Sequence, residues 1–334
     1  MKPTSLDWLL EPVDPPIRFH ALVDILHYPV NSPEVLKARA LIPLYRLVRR
    51  IRSFQTEAGY WEPKETCYLP KWTSAVWPLI LLGEMGVPPE PWIKRECERF
   101  LTLHQMKNGA FSWTVAPRRM VEEPCLTGNM IRTLIVFGYG EDRRLQKAID
   151  WMPEHQQEDG GWNCDYPGRK VKHSSFMSTI EPLWAYSEIP RRKWTRRMKR
   201  SIDRGAEFLL MHRVYKSDHH DWRPCKPEFT MLHFPMWYFY DALHGLRVLT
   251  KLGFGDDRRV KDATHLVLSK MRPDRRWLLE GDWHRERQKD KVPSYVKKRR
   301  NLVNIGEVGK PSKWVTLNCY RTLTSTGDLE ASRT

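Results

Sequence analysis

The stretch Gln156-Gln157-Glu158-Asp159-Gly160-Gly161-Trp162 decides the fold. As Q-x-x-x-G-x-W, it runs from Gln156 through Gly160 to Trp162. The frame recurs at Gln55…Gly59…Trp61 and at Gln105…Gly109…Phe111, so the starts lie about 50 residues apart. Met271…Arg275…Trp277 keeps only the tryptophan. Self-similarity at this period points to stacked copies of one supersecondary unit. The chemistry suits a helix-to-helix joint, where glycine takes a positive φ and the aromatic ring plugs the seam between neighbouring units.

A second echo supports the first. Gly138-Tyr-Gly-Glu-Asp-Arg-Arg-Leu145 reappears as Gly253-Phe-Gly-Asp-Asp-Arg-Arg-Val260. Each copy ends an apolar run, turns on glycines and opens a helix with acidic residues near its positive end. Asp256-Asp257 reads as such a helix start with an Asp–Arg pair rather than as an acidic metal motif.

Between these markers, nearly apolar and amphipathic segments alternate. Lys71–Met85, Thr127–Tyr139, Ser174–Ser187, Pro235–Leu252 and Lys313–Thr324 are the apolar ones. Pro33–Phe54, Pro88–Gln105, Asp142–Gln156, Lys193–His212 and Asp257–Met271 are amphipathic. In the first of these, Leu36, Ala40, Leu44 and Leu47 fall near one face. The pattern predicts an all-α chain with apolar helices inside and amphipathic ones outside, in about five to six hairpins. Residues 1–30 read as a helical cap, 31–334 as the repeat domain, and 278–312 as a charged excursion.

Lys and Arg number 56 against 40 Asp and Glu, a net charge of +16 that favours anionic partners. An acidic membrane surface is one such partner. Nucleic acid is disfavoured, because the two basic blocks carry no recognition motif. Six scattered cysteines without a C-x-x-C pair, and no apolar leader, predict reduced thiols and a cytoplasmic protein.

The repeated frame resembles that of the squalene–hopene cyclase and protein-prenyltransferase β-subunit superfamily, whose fold is an α/α-toroid. Pro124-Cys125-Leu126-Thr127-Gly128-Asn129, His233-Phe234-Pro235 and Lys310-Pro311-Ser312-Lys313-Trp314 resemble stand-alone microbial prenyltransferase/squalene-oxidase-repeat proteins. The resemblance implies a terpene cyclase- or prenyltransferase-like, isoprenoid-handling enzyme. A lipid-binding protein without turnover and an interaction scaffold of the same fold are the alternatives. The D-x-D-D acid and D-D-x-x-D diphosphate motifs of terpene synthases are absent from the sequence.

If the apolar helices are parallel, their N-termini gather at one mouth. Lys71 and Lys313 there favour a diphosphate, with Asn129 beside them. Trp77, Trp184, Trp237 and Tyr240 offer ring faces for a polyprenyl chain or carbocation, or equally fill a core. Asp241 and Glu181, each read as lying inside an apolar helix, are the candidate general acids, Asp241 foremost; either also reads as a structural acceptor. Cys125, Cys164 and His173, with Asp165 or His233 as a fourth ligand, form a candidate zinc set. The prenyltransferase D-x-C order is replaced here by Asn163-Cys164-Asp165. The other reading makes both cysteines small buried hydrophobes and His173 a hydrogen-bonded group.

Overall fold

A computed structural model describes residues 4–61, 65–165, 171–281 and 305–330. Among them every regular element is helical, and strand pairing is limited to isolated bridges. Three short helices, α1 (Ser5–Leu9), α2 (Pro15–His20) and α3 (Pro33–Leu41), precede five hairpins. In each hairpin an amphipathic outer helix leads into an apolar inner one. Thus α4 (Arg46–Ser53) leads into α5 (Val76–Glu84), α6 (Pro91–Leu103) into α7 (Pro124–Leu134), and α8 (Arg143–Trp151) into α9 (Phe176–Ser187). The last two pairs are α10 (Arg196–Met211) with α11 (Ala242–Leu252), and α12 (Lys261–Ser269) with α13 (Lys313–Ser325).

Burial follows composition. Every residue of α5 is buried, whereas α10 buries one side through Met198, Ile202, Ala206 and Leu209. Inner helices pack in chain order from α5 to α13, giving the two layers of an α/α-toroid. The α7–α9 seam is the tightest. A Cβ on Gly128 would lie 2.5 Å from the Pro182 nitrogen and 2.6 Å from the Glu181 carbonyl carbon, so only glycine fits. Between α13 and α5 the ring is spanned by α2 and the π-turn Ala21–Ile25. His20 Nε2 lies 3.0 Å from the Glu84 carbonyl, and Arg321 donates to Asp24 at 3.3 Å.

The repeated frames all sit where an outer helix ends. In each, a backbone turn closes by the same pair of bonds, as from Gln157 N–H to Gly161 O and Gly160 N–H to Gln157 O. Gly160 has φ +97°, and a Cβ there would meet the Arg204 carbonyl at 2.5 Å. In the worn copy Arg275 takes φ 57° without glycine's freedom. The aromatic residue is then bonded through its backbone, its indole, or, at Trp162 and Trp277, both. Its backbone N–H donates to a threonine in the next inner helix: Phe111 to Thr127, Trp162 to Thr179 and Trp277 to Thr316, each at 3.0 Å. The indoles of Trp61, Trp162 and Trp277 donate to the carbonyl ten residues back, at 3.0, 2.9 and 2.7 Å. The glutamine links forward. Gln105 donates to Arg144 O at 2.7 Å and Gln156 to Ser201 O at 2.8 Å, both on the following outer helix.

The Gly-Asp-Arg echo ties outer helices to one another. Asp142 and Asp257 accept the N–H groups of Arg144 and Arg259, and those arginines fork onto Glu98 and Glu207 of the preceding outer helices.

Three stretches depart from the periodic reading. Pro33–Phe54 is not one helix: Pro43, lacking an N–H, divides it through a 3₁₀ turn, and Leu36, Ala40 and Leu44 are exposed. The inner helices expected from Lys71 and Pro235 begin only at Val76 and Ala242, because Trp72 (φ 73°) and Trp237 (φ 48°) adopt left-handed backbone. Of the charged excursion 278–312, residues 282–304 lie outside the described residues; at its margins Leu278 pairs with Pro311. No described helix is long and apolar enough to cross a membrane.

Candidate functional site

Two loops cover the N-terminal ends of the inner helices. One runs from Thr66 to Ala75 ahead of α5, the other from His233 to Asp241 ahead of α11. Their rings interlock. Trp72 stacks on Trp237 at 4.4 Å between centroids and on Tyr238 at 5.7 Å, nearly parallel. Trp77 donates its indole N–H to Tyr68 O at 2.9 Å and lies 4.5 Å from the Tyr68 ring. Lys71 is half-buried over these faces, 4.6 Å from the centroid of Tyr238 and 5.5 Å from that of Tyr68. Its ammonium donates to the Tyr238 hydroxyl at 2.8 Å. The cation is thus held by π faces and one hydroxyl.

Beside this cluster Cys125, in the first turn of α7, meets Cys164, which follows the third frame. The sulfurs are 2.7 Å apart as free thiols, and Cys125 N–H points at Cys164 Sγ at 3.3 Å. The Cys164 contact and burial push the Cys125 thiol well up. Glu123, half-buried just before α7, has its carboxyl raised to about 7, first by burial and then by Asp165, with Lys71 acting against the rise. Tyr68 is raised by burial and by its neighbours Cys125 and Tyr238.

Deeper, Glu181 on α9 is fully buried. Neither carboxyl oxygen has a well-aligned hydrogen-bond partner, and the same holds for Oδ1 of neighbouring Asn129. Burial drives the Glu181 carboxyl well above the ordinary range, opposed by Arg132.

The remaining expected residues are placed elsewhere. Asp241 is not inside a helix but caps α11. Its Oδ1 accepts His244 N–H at 2.7 Å, while Oδ2 accepts His233 N–H at 3.1 Å and lies 2.9 Å from His233 Nδ1. Lys313 is bound to Glu11 at 2.6 Å and Asp14 at 2.8 Å, so it pins the N-terminal segment. Trp184 stands apart from the mouth rings, with the Arg132 guanidinium 3.7 Å and that of Arg247 5.2 Å from its centroid. Tyr240 packs on Phe176 and Phe229 and donates to Val214 O. The four rings named from sequence therefore do not line one surface.

The candidate zinc set is not assembled. Cys125 and Cys164 meet, but His173 is exposed with its carbonyl taken by Asn163, and Asp165 is exposed. Among the described residues no three His, Cys, Asp or Glu side chains are placed to hold a metal.

Sequence reading missed three arginines turned inward from apolar inner helices, the buried Arg132, which is the lone cation of its helix, and the largely buried Arg247 and Arg321. A cation inside an otherwise apolar run is the signal that would have found them.

No family model matches the chain, and no curated protein does. Solved structures resemble it at low identity. A protein from Actinoplanes is 15% identical, covers 94% of this chain and 90% of its own, and has a TM-score of 0.46. A variant of the type II terpene cyclase MstE from Scytonema, in complex with geranylgeranyl dihydroxybenzoate, is 14% identical, covers 95% of this chain and 88% of its own, and has a TM-score of 0.44. Another variant of that cyclase, in complex with merosterolic acid A, is 13% identical over 85% of this chain and 96% of its own, with a TM-score of 0.29.

Proposed function

We propose that this chain is an isoprenoid-handling enzyme in which Glu181 is the proton donor. The supporting observation is a carboxyl buried in an apolar helical ring, whose oxygens have no well-aligned hydrogen-bond partner and whose proton affinity is raised by burial. In this reading the acid role passes from Asp241, whose oxygens cap α11, to Glu181. A proton given to an alkene leaves a carboxylate, which the Arg132 charge stabilises. The polyprenyl chain enters between the two aromatic loops, against Trp72, Trp77 and Trp237, with Lys71 facing a diphosphate or other anionic head. Carbocation character that develops along the chain is stabilised by the same rings.

Glu181→Gln tests the assignment, since it replaces the carboxyl by a neutral amide of the same shape. With farnesyl and geranylgeranyl diphosphate and squalene as substrates, product is followed by mass spectrometry and binding by calorimetry. The variant is expected to keep binding and lose turnover by at least about a hundredfold. Turnover equal to the wild type removes Glu181 from the chemistry.

The stacking of Trp72 on Trp237 supports a second reading, a binding protein that holds an isoprenoid without turning it over. Retained ligand with no product from the wild type decides for it.

A further inference from the structure

At the other end of the ring, the C-terminal halves of the inner helices surround a cavity of about 290 Å³. Arg132 of α7, Arg247 of α11 and Arg321 of α13 line it, with Lys251 nearby and Arg39 at the side. The register is a property of the repeat. Arg132 and Arg321 each stand five residues after the threonine that receives a frame's aromatic N–H, and Trp184 holds that position in α9. Trp184 forms a ring wall between Arg132 and Arg247.

Carboxylates satisfy only part of this cationic set. Arg247 donates to Glu84 Oε1 at 2.9 Å, and Lys251 to Glu188 Oε2 at 2.8 Å. Arg321 reaches Asp24 through Nη1 at 3.3 Å, while its Nε and Nη2 have no hydrogen-bond partner and Nη2 stands 3.9 Å from Glu84 Oε1 as a loose ion pair. Arg132 Nη1 has none either, and its Nε lies 3.3 Å from Glu188 Oε1 without hydrogen-bond alignment. The side chain of Arg132 is 5% exposed and that of Arg321 10%. Donors buried so deeply and left unbonded cost stability. Negative helix ends account for cations gathering here, but not for their unbonded N–H groups. Burial and mutual repulsion lower the affinity of Arg321 for its proton, to a pKa of about 10, and a further anion would relieve both.

We infer that this well binds a phosphate-class oxyanion, free or as the head of a larger molecule, through the unbonded N–H groups of Arg132 and Arg321. Planar guanidiniums from two helices grip separate oxygens of such an anion, and Arg247 and Lys251 add charge. Arg132 serves both readings, but anion binding is read directly by titration and stands or falls without turnover by Glu181.

The test uses the whole chain, titrated calorimetrically with inorganic phosphate and pyrophosphate against chloride at fixed ionic strength. Binding is expected in the wild type. Arg321→Gln and Arg132→Lys should each weaken it at least tenfold, while Glu84→Gln, which removes a competing carboxylate, should tighten it. Circular dichroism melting selects folded variants, and the Glu84→Gln gain gives a reading that loss of fold cannot imitate. Geranyl diphosphate binding more tightly than pyrophosphate identifies the head of a larger molecule, and the reverse order a free anion. No pyrophosphate binding by the wild type overturns the inference. So does binding that survives both arginine variants and is lost in Lys71→Ala, since it then belongs to the mouth.

Discussion

Glu181 and Trp162 show how differently two fully buried side chains can be used. The Trp162 indole is bonded to Met152 O, its backbone to Thr179, and its ring lies within 3.0 Å of where a Cβ on Gly205 would stand. It links three elements, so Trp162→Ala should cost about 3–5 kcal/mol on denaturant unfolding. A loss under about 1 kcal/mol would contradict the seam role. Glu181 works against stability instead. Burial raises its folded pKa above the ordinary 4.5 of an exposed glutamate, so between those two values the fold holds a proton that the unfolded chain releases. Folding then takes up a proton, and stability falls by about 1.4 kcal/mol per pH unit above 4.5 until the folded pKa is reached. Glu181→Gln should therefore melt higher than the wild type at pH 7, with the gap closing toward pH 4.5. A gap independent of pH would show that the carboxyl is ionised in the fold. The frame's tryptophan was legible in the sequence because it repeats. The setting of Glu181 was legible only as an acid in an apolar run, because its complete burial arises from packing between chain-distant helices.

At the scale of the element, Asp241 illustrates what periodicity overlooks. Trp237 to Tyr240 form an apolar run that continues the pattern of α11, yet Trp237 takes a positive φ and the helix starts after Asp241. The helical and looped halves of such a run have the same composition, so the boundary was not legible. Asp241→Asn should keep the cap, since Asn serves there almost as well, but lose the charged bond to His233. We expect a loss of about 1.5–3 kcal/mol. Asp241→Ala should lose about 1 kcal/mol more with the cap, and both values can be read from urea midpoints. Equal losses for Asn and Ala would show that the cap contributes nothing. The inner and outer layers, by contrast, were legible almost throughout, because an all-round apolar helix and a one-sided helix differ in composition itself.

On the scale of the whole molecule, the ring carries a charged end and an aromatic end, joined by apolar helices. Burial alone would raise the Glu188 carboxyl, but Lys251 and Arg132 outweigh it and hold it at about 2. Its stabilising contribution is present above the unfolded value of 4.5 and is lost as pH falls toward 2, roughly 3 kcal/mol in all. Glu188→Gln should therefore be less stable than the wild type at pH 6 and converge with it by pH 2, as thermal melts at several pH values will show. Lys313, tied to two N-terminal carboxylates, makes a separate prediction. Lys313→Ala should speed proteolytic cutting within the N-terminal segment while the melting of the ring shifts little. Unchanged cutting would mean that apolar packing alone holds the segment. That tie also has a consequence in time. Glu11 and Asp14 meet a lysine 302 and 299 residues later in the chain. On the ribosome Glu11 and Asp14, with Leu6, Leu9 and Ile17 that are buried in the finished fold, are made about 300 residues before that lysine. A nascent chain halted before Lys313 would therefore expose to chaperones the apolar side chains of Leu6, Leu9 and Ile17 that the finished ring conceals.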